Sequence, residues 1–313
     1  MSRILVTGGA GFIGSHVAEA LLLRGDEVVV ADDFSTGRPE NLPRGCRLVE
    51  GDLADPAVAE RAVAGCRAVV HCAARPSVTL SVQDPELSTR ANLGASLQLL
   101  LAARAAGVRR IVYSSSSAVY GDKVPGAARE TRREAPVSPY GMNKLAAEHV
   151  FRMAPALYGV DSFCLRYFNV YGPRQDPSSP YSGVISIFIT RALAGTAPTI
   201  HGDGLQSRDF TFVSDVVAAN LAALGLRRGG GRVANVGSGR STDLLALWDA
   251  VRRACGRPGL PADHGPPRPG DIRRSLAAVE RATRWLKLGE PVALDAGLAR
   301  TVAWYRVPLS SPG

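Results

Sequence analysis

The chain has 313 residues, 46% of them hydrophobic, and a formal charge of +9. That length allows a large domain with a second lobe and a full core, while no apolar run reaches the ~18 residues a membrane span needs, so a membrane-spanning helix is excluded. The positive charge is almost all arginine, dispersed in pairs such as Arg109-Arg110 and Arg227-Arg228 and never gathered in a long basic run, so nucleic acid is not expected as a partner.

Ile4-Leu5-Val6 predicts a first strand, and the chain opens directly into it, so no signal peptide and a cytoplasmic location are expected. Thr7 to Gly14 follows as a glycine turn, and Ser15 to Arg24 reads as a helix burying Val17, Ala20, Leu21 and Leu23. Gly9, Gly11 and Gly14 fit the dinucleotide fingerprint, and Gly8, Gly11 and Gly14 fit its wider-spaced form. Glycine is needed because the turn is tight and backbone must approach a pyrophosphate seated on a helix N-terminus. A second strand, Glu27 to Ala31, ends at Asp32 and Asp33; an acid there accepts from a ribose and repels a 2′-phosphate, which favours NAD over NADP.

Arg47 to Glu50 predicts a strand ending at Gly51-Asp52-Leu53, and Ala68 to His71 another ending at Cys72-Ala73-Ala74. Asn92 to Ala106 reads as an apolar-faced helix, and Arg110 to Ser114 as a strand running into Ser115-Ser116-Ser117. Each strand thus ends in small or polar residues, where a doubly wound parallel sheet binds its ligand. Tyr140 and Lys144 stand one helical turn apart, so the ammonium can sit beside the phenol and favour its ionised form, as a general base requires. Val184 to Leu193 predicts a further helix, and Pro and Gly clusters at 172–183 and 256–270 predict long loops. Cys46, Cys66, Cys72, Cys164 and Cys255 are odd in number and lack C-x-x-C spacing, which predicts free thiols in a reducing compartment and no metal centre.

Several motifs in order carry a resemblance: Thr7 to His16 (TGGAGFIGSH), Asp32 to Gly37 (DDFSTG), His71 to Ala74 (HCAA), Ser114 to Gly121 (SSSSAVYG) and Tyr140 to Lys144. Arg166 to Arg174 (RYFNVYGPR), Gly202 to Asp215 (GDGLQSRDFTFVSD) and Arg268 to Asp271 (RPGD) extend it to essentially the whole chain. The sequence resembles the extended short-chain dehydrogenase/reductases, and within them the UDP-sugar 4-epimerases of the UDP-galactose 4-epimerase type. The resemblance implies an α/β fold: a doubly wound parallel (Rossmann) sheet with a smaller C-terminal substrate-binding lobe. The expected division is an NAD-binding domain over 1–172, with a returning segment near 208–238, interleaved with a UDP-sugar-binding lobe over 173–313. A homodimer through the helices around 89–106 and 140–155 is also implied.

By resemblance, Gly8, Gly11, Phe12, Ile13, Gly14, Asp32, Asp33, Ser35, Thr36 and Gly37 hold NAD. Asp52 and Leu53 flank its adenine, Ala73 and Ala74 pass under its pyrophosphate, and Asn92 sits in its cleft. Ser116 bridges to the sugar 4-oxygen, Tyr140 is the base and Lys144 anchors the nicotinamide ribose. Ser117 stands behind them. Asn169, Arg208 and Arg268 hold the UDP diphosphate, His201 packs on uracil and Asp271 lies near the uridine ribose. On the residues alone, Asn169 reads first as a turn cap, and Arg208 beside Asp209 reads also as a surface ion pair.

The implied reaction is NAD-dependent 4-epimerisation of a UDP-hexose through a transient 4-keto sugar. Related dehydratases and decarboxylases carry acids just after the catalytic hydroxyl residue. Here Ser117 and Ala118 stand there, so elimination and decarboxylation are not expected. Ser275 leaves space around C2, which admits UDP-N-acetylglucosamine as an alternative substrate. Arg191 matches an arginine that pairs with the carboxylate of UDP-glucuronate, or else is one more surface arginine. A non-catalytic NAD-binding protein would be expected to lack Ser116, Tyr140 or Lys144, and all three are present.

Overall fold

The computed structural model describes residues 2–122, 126–176, 183–267 and 272–307. Its centre is built from the apolar runs, which form seven strands: β1 (Arg3–Thr7), β2 (Glu27–Asp32), β3 (Arg47–Glu50), β4 (Ala68–His71), β5 (Arg110–Ser116), β6 (Asp161–Tyr167) and β7 (Arg232–Val236). They lie in the order β7-β6-β5-β4-β1-β2-β3, and every neighbouring pair is parallel. The order reverses between β1 and β4, and at such a switch point a doubly wound sheet opens a crevice beyond the carboxyl ends of its strands.

The helices are α1 (Phe12–Leu23), α2 (Pro56–Val63), α3 (Val78–Gln83), α4 (Pro85–Thr89), α5 (Ala95–Ala105), α6 (Pro139–Leu157), α7 (Val184–Ala194), α8 (Val213–Gly225), α9 (Leu244–Ala254), α10 (Glu280–Leu286) and α11 (Leu294–Tyr305). Both faces of the sheet are covered, as the unbroken apolar strands require. Leu5, Val69 and Ile111 pack on one face with Ala59, Leu99 and Phe151 of α2, α5 and α6. Val6, Val28 and Val70 pack on the other with Val17 and Leu21 of α1, and Val112 and Leu165 with Val216 and Ala219 of α8. A separate core joins Phe188 and Ile189 of α7 to Leu247 and Val251 of α9 and Leu298 and Val302 of α11.

Three expectations are adjusted. Leu23, expected on the buried side of α1, is 85% exposed at the end of the helix. The predicted helix from Asn92 begins as a wide π turn over Arg90–Gly94, and regular α geometry starts only at Ala95. Within that turn the Asn92 Oδ1 accepts the Arg75 backbone N–H at 2.9 Å. The 256–270 segment is not all loop: Asp263–Gly265 forms a short strand parallel to Thr199–His201.

Candidate active site

The glycine turn closes on itself so tightly that side chains have no room. A Cβ on Gly14 would stand 2.1 Å from the Gly8 carbonyl oxygen, and one on Gly8, at φ +65°, would stand 2.8 Å from the backbone of Ala73. α1 opens at Phe12 behind Gly11, which supplies no side-chain cap. The first-turn N–H groups and the positive helix end are therefore available to an anion. Gly8, Gly11, Phe12, Ile13 and Gly14 line a cleft of about 520 Å³ with Asp32, Asp33, Ser35, Thr36, Asp52, Leu53, Ala73 and Ala74. These residues fit a dinucleotide.

Three expected cofactor residues do something else or something more. Asp32 is buried, and its carboxylate accepts from Ala10 N and Phe34 N, both at 2.9 Å; burial pushes its pKa up. It stitches the glycine turn to the loop after β2. Gly37 does not line the cleft but packs beneath Asp32, where a Cβ would lie 2.8 Å from Oδ1. Asn92 does not line the cleft either: its Nδ2 donates to Ser88 Oγ at 3.2 Å while its Oδ1 holds Arg75 N. Its role is to fix the loop after β4.

That loop is also tied through a buried polar chain. Ser96 Oγ donates its one proton to Asn92 O at 2.6 Å, so it accepts from His71 Nε2 at 2.9 Å. His71 Nδ1 is then an acceptor, and Thr7 Oγ1 donates to it at 2.7 Å. Thr7 Oγ1 in turn accepts from Ala73 N at 3.1 Å. Burial lowers the His71 pKa to about 3, with the Lys144 charge adding to it. The ring is neutral and locked.

The expected catalytic residues meet where β5 ends against the start of α6. Ser138 accepts from Gly141 N at 3.1 Å and Pro139 follows it, a strong start for a helix. Tyr140 and Lys144 then both face the cleft beside Ser116, Ser117 and Ala118. Lys144 Nζ donates to the Ser114 carbonyl at 2.8 Å and lies 5.0 Å from the Tyr113 ring centre; burial lowers its pKa to about 8. Burial raises the Tyr140 pKa, and a hydrogen bond with Ser116 opposes that rise. Helical spacing puts the two side chains on one face; the ammonium donates to the Ser114 carbonyl, and Ser116 is the group hydrogen-bonded to the phenol, which favours the phenolate.

Beneath them a buried ion pair fixes α6 to the sheet. Arg166 of β6 donates through Nε to Glu148 Oε2 at 2.8 Å and through Nη2 to Glu148 Oε1 at 2.6 Å. Glu148 Oε2 also accepts from Ser115 Oγ at 2.7 Å, next to Ser116. Such bidentate pairing sets geometry as well as energy.

A second cavity, about 530 Å³, shares Val78, Asn169, Val170, Gln175 and Gly183 with the first and continues to His201 and Arg208. Asn169 has φ +28° and donates through Nδ2 to Asp209 O at 3.0 Å, so it shapes its turn while lining the cavity. Arg208 Nη1 donates to Ser207 O at 2.9 Å, and His201 Nδ1 meets Pro266 O at 3.1 Å. Ser275 lines a smaller space of about 100 Å³ beside Ser117, Ala118, Asn169 and Arg208. Arg191 is exposed in the last turn of α7 and lines none of these cavities. Arg268 and Asp271 lie outside the described residues.

Sequence reading missed Arg75 and Gln175. Arg75 donates through Nη1 to Ser35 O at 3.3 Å and stands 3.9 Å from Asp33, across the cleft mouth. Gln175 borders both cavities, just after the Gly172-Pro173-Arg174 turn. Their positions directly after the Ala73-Ala74 and Asn169 motifs were the available signal.

The profile of the NAD dependent epimerase/dehydratase family matches residues 4–237. UDP-glucose 4-epimerase of Mycolicibacterium smegmatis is 40% identical over 311 residues, spanning 97% of this chain and 98% of that protein. The crystal structure of Thermotoga maritima UDP-glucose 4-epimerase with UDP-glucose superposes with a TM-score of 0.93 at 39% identity, covering 97% of this chain and 98% of the other. The UDP-glucose 4-epimerase of Thermus thermophilus, in complex with NAD, gives 0.90 at 39% identity, covering 98% of this chain and 100% of the other.

Proposed function

Because the chain belongs to the NAD dependent epimerase/dehydratase family, we propose that it is an isomerase, an NAD-dependent UDP-hexose 4-epimerase, with UDP-glucose and UDP-galactose as its first pair. The observation that carries the reading is the meeting of Ser116, Tyr140 and Lys144 at the cofactor cleft beside Asn169, with no carboxylate at 117 or 118.

The backbone of Gly8 to Gly14 and the start of α1 would hold the pyrophosphate, with Asp33, Asp52 and Leu53 at the adenosine end. Bound NAD supplies the acceptor and donor of hydride at sugar C4. Ser116 passes the 4-OH proton to Tyr140, which returns it after the 4-keto sugar has turned over. Lys144, oriented by Ser114, holds the ribose beside the reacting carbon. Asn169 and Arg208 keep the diphosphate in place meanwhile, and His201 packs on the uracil. Ser117 and Ala118 leave the ketone without a neighbouring acid, so it is reduced again and not eliminated or decarboxylated. Correct acid–base placement contributes roughly 10²–10⁴-fold.

Residues 1–172 with 208–238 are read as the cofactor half and the remainder as the substrate lobe. The space beside Ser275 favours UDP-N-acetylglucosamine as a second substrate. For a uronate, the supporting observation is weaker, since Arg191 is exposed and lines none of the three cavities. Among the described residues no helix is long and apolar enough to cross a membrane, and the five cysteines are free, in keeping with a cytoplasmic enzyme. A homodimer is read from the apolar residues that α5 and α6 leave outside: Leu97, Leu101, Met153 and Leu157. Turnover of UDP-glucose, UDP-glucuronate and UDP-N-acetylglucosamine by the purified protein tests the reading; no turnover of any of them refutes it.

A further inference from the structure

A cavity of about 820 Å³ lies at the opposite edge of the sheet from the glycine turn. The amino ends of β1, β4, β5 and β6 open into it, with the residues just after α8 on one side. Six arginines line it, Arg24, Arg67, Arg109, Arg110, Arg227 and Arg228, against the single carboxylate of Asp161. That carboxylate is already committed. Asp161 accepts from Arg110 Nη2 at 2.6 Å, Gly229 N at 2.8 Å and Gly230 N at 2.7 Å. Arg110 Nη1 is in turn fixed by the Leu224 carbonyl at 2.8 Å and by that of Leu226. Arg24 is held by Asp26 at 2.7 Å.

Arg67 and Arg109 are next to each other across two strands, since Arg109 N donates to Arg67 O at 2.9 Å. Like charges placed side by side on neighbouring strands repel. Among the described residues, the guanidinium groups of Arg67, Arg109, Arg227 and Arg228 have no anionic partner. They rim a concavity whose walls include Ile4, Leu224 and Leu226, and low-dielectric walls lined by one sign of charge concentrate the field. Guanidinium forks match phosphate oxygens in pairs.

We propose that this cavity is a second anion site, taking a small ligand with two or more phosphate groups. A basic stripe for a polymer backbone would run along the surface, whereas these arginines line one concavity. The site is separate from the catalytic cleft and shares no lining residue with it.

The test is calorimetric titration of the purified protein with tripolyphosphate and with ATP at physiological salt. Either anion should bind at one equivalent per chain outside the catalytic cleft. Affinity should fall at least tenfold in R67A/R228A and stay unchanged in R208A. Equal affinities for the two anions indicate a purely phosphate-reading site, and tighter ATP binding indicates that the apolar wall receives a nucleoside. Epimerase turnover of R67A/R228A without added anion should match the parent protein. Absence of binding, loss of binding in R208A, or binding indifferent to R67A/R228A each overturns the proposal. So does tight binding of single-stranded RNA with no binding of either small anion.

Discussion

The Lys144 ammonium donates to the Ser114 carbonyl at 2.8 Å, joining the helix that carries Tyr140 to the strand that carries Ser116 by one buried, charge-assisted bond. Its burial lowers the lysine pKa from 10.5 to about 8. In the unfolded chain the proton stays on up to the higher value. Between the two, the unfolded state binds more protons, so stability rises with pH across that window. Lys144→Met removes the effect. Urea unfolding midpoints at pH 7.5, 8.5 and 9.5 should show the parent gaining on the variant at each step. Parallel pH curves would contradict this.

His71 acts with the same sign in the acid range. Its folded pKa is lowered to about 3 from 6.5 by burial, so the stability from its neutral ring is complete above pH 6.5 and is lost as pH falls toward 3. The slope is at most about 1.4 kcal/mol per pH unit. His71→Gln should flatten the fall in unfolding free energy between pH 6.5 and 4.5. An unchanged slope would mean that other groups govern acid unfolding.

Gly14→Ala should yield folded protein that has lost its nucleotide, because the added Cβ meets the Gly8 carbonyl at 2.1 Å and must open the turn. NAD released on denaturation measures this directly. Full retention of NAD would show that the turn is not the pyrophosphate seat.

Leu101 and Met153, 51% and 48% exposed on α5 and α6, are the residues to charge if those helices pair two copies. Burying a charge without a partner is unfavourable. Leu101→Glu with Met153→Glu should sediment as a monomer where the parent sediments as a dimer. A parent that is monomeric at micromolar concentration, or a variant that remains dimeric, sinks the homodimer.

The glycine turn and the strand ends were readable because each answers to a local rule. Gly8, Gly11 and Gly14 are demanded by close backbone approach, and β3 and β4 by short apolar runs between turn residues. What the rules missed depends on contacts far apart in sequence. The direction of the Lys144 side chain is decided by Ser114, thirty residues earlier. Asn92 has the right type for a cleft residue, yet its amide is consumed by Arg75 and Ser88. Arg191 occupies a helix whose apolar side, with Phe188 and Ile189, builds the second core and turns the arginine to solvent. The Arg166–Glu148 pair joins β6 to α6 and leaves no periodic trace.

The central claim is that Tyr140 and Ser116 serve a hydride transfer at sugar C4 in which the same hydrogen returns. UDP-glucose carrying deuterium at C4, incubated with the purified protein and followed by NMR, tests it most directly. The account predicts UDP-galactose with the deuterium still at C4, and Tyr140→Phe slowed by roughly 10²–10⁴-fold with its NAD retained. Loss of the label to water, or near-parental turnover by Tyr140→Phe, would contradict it.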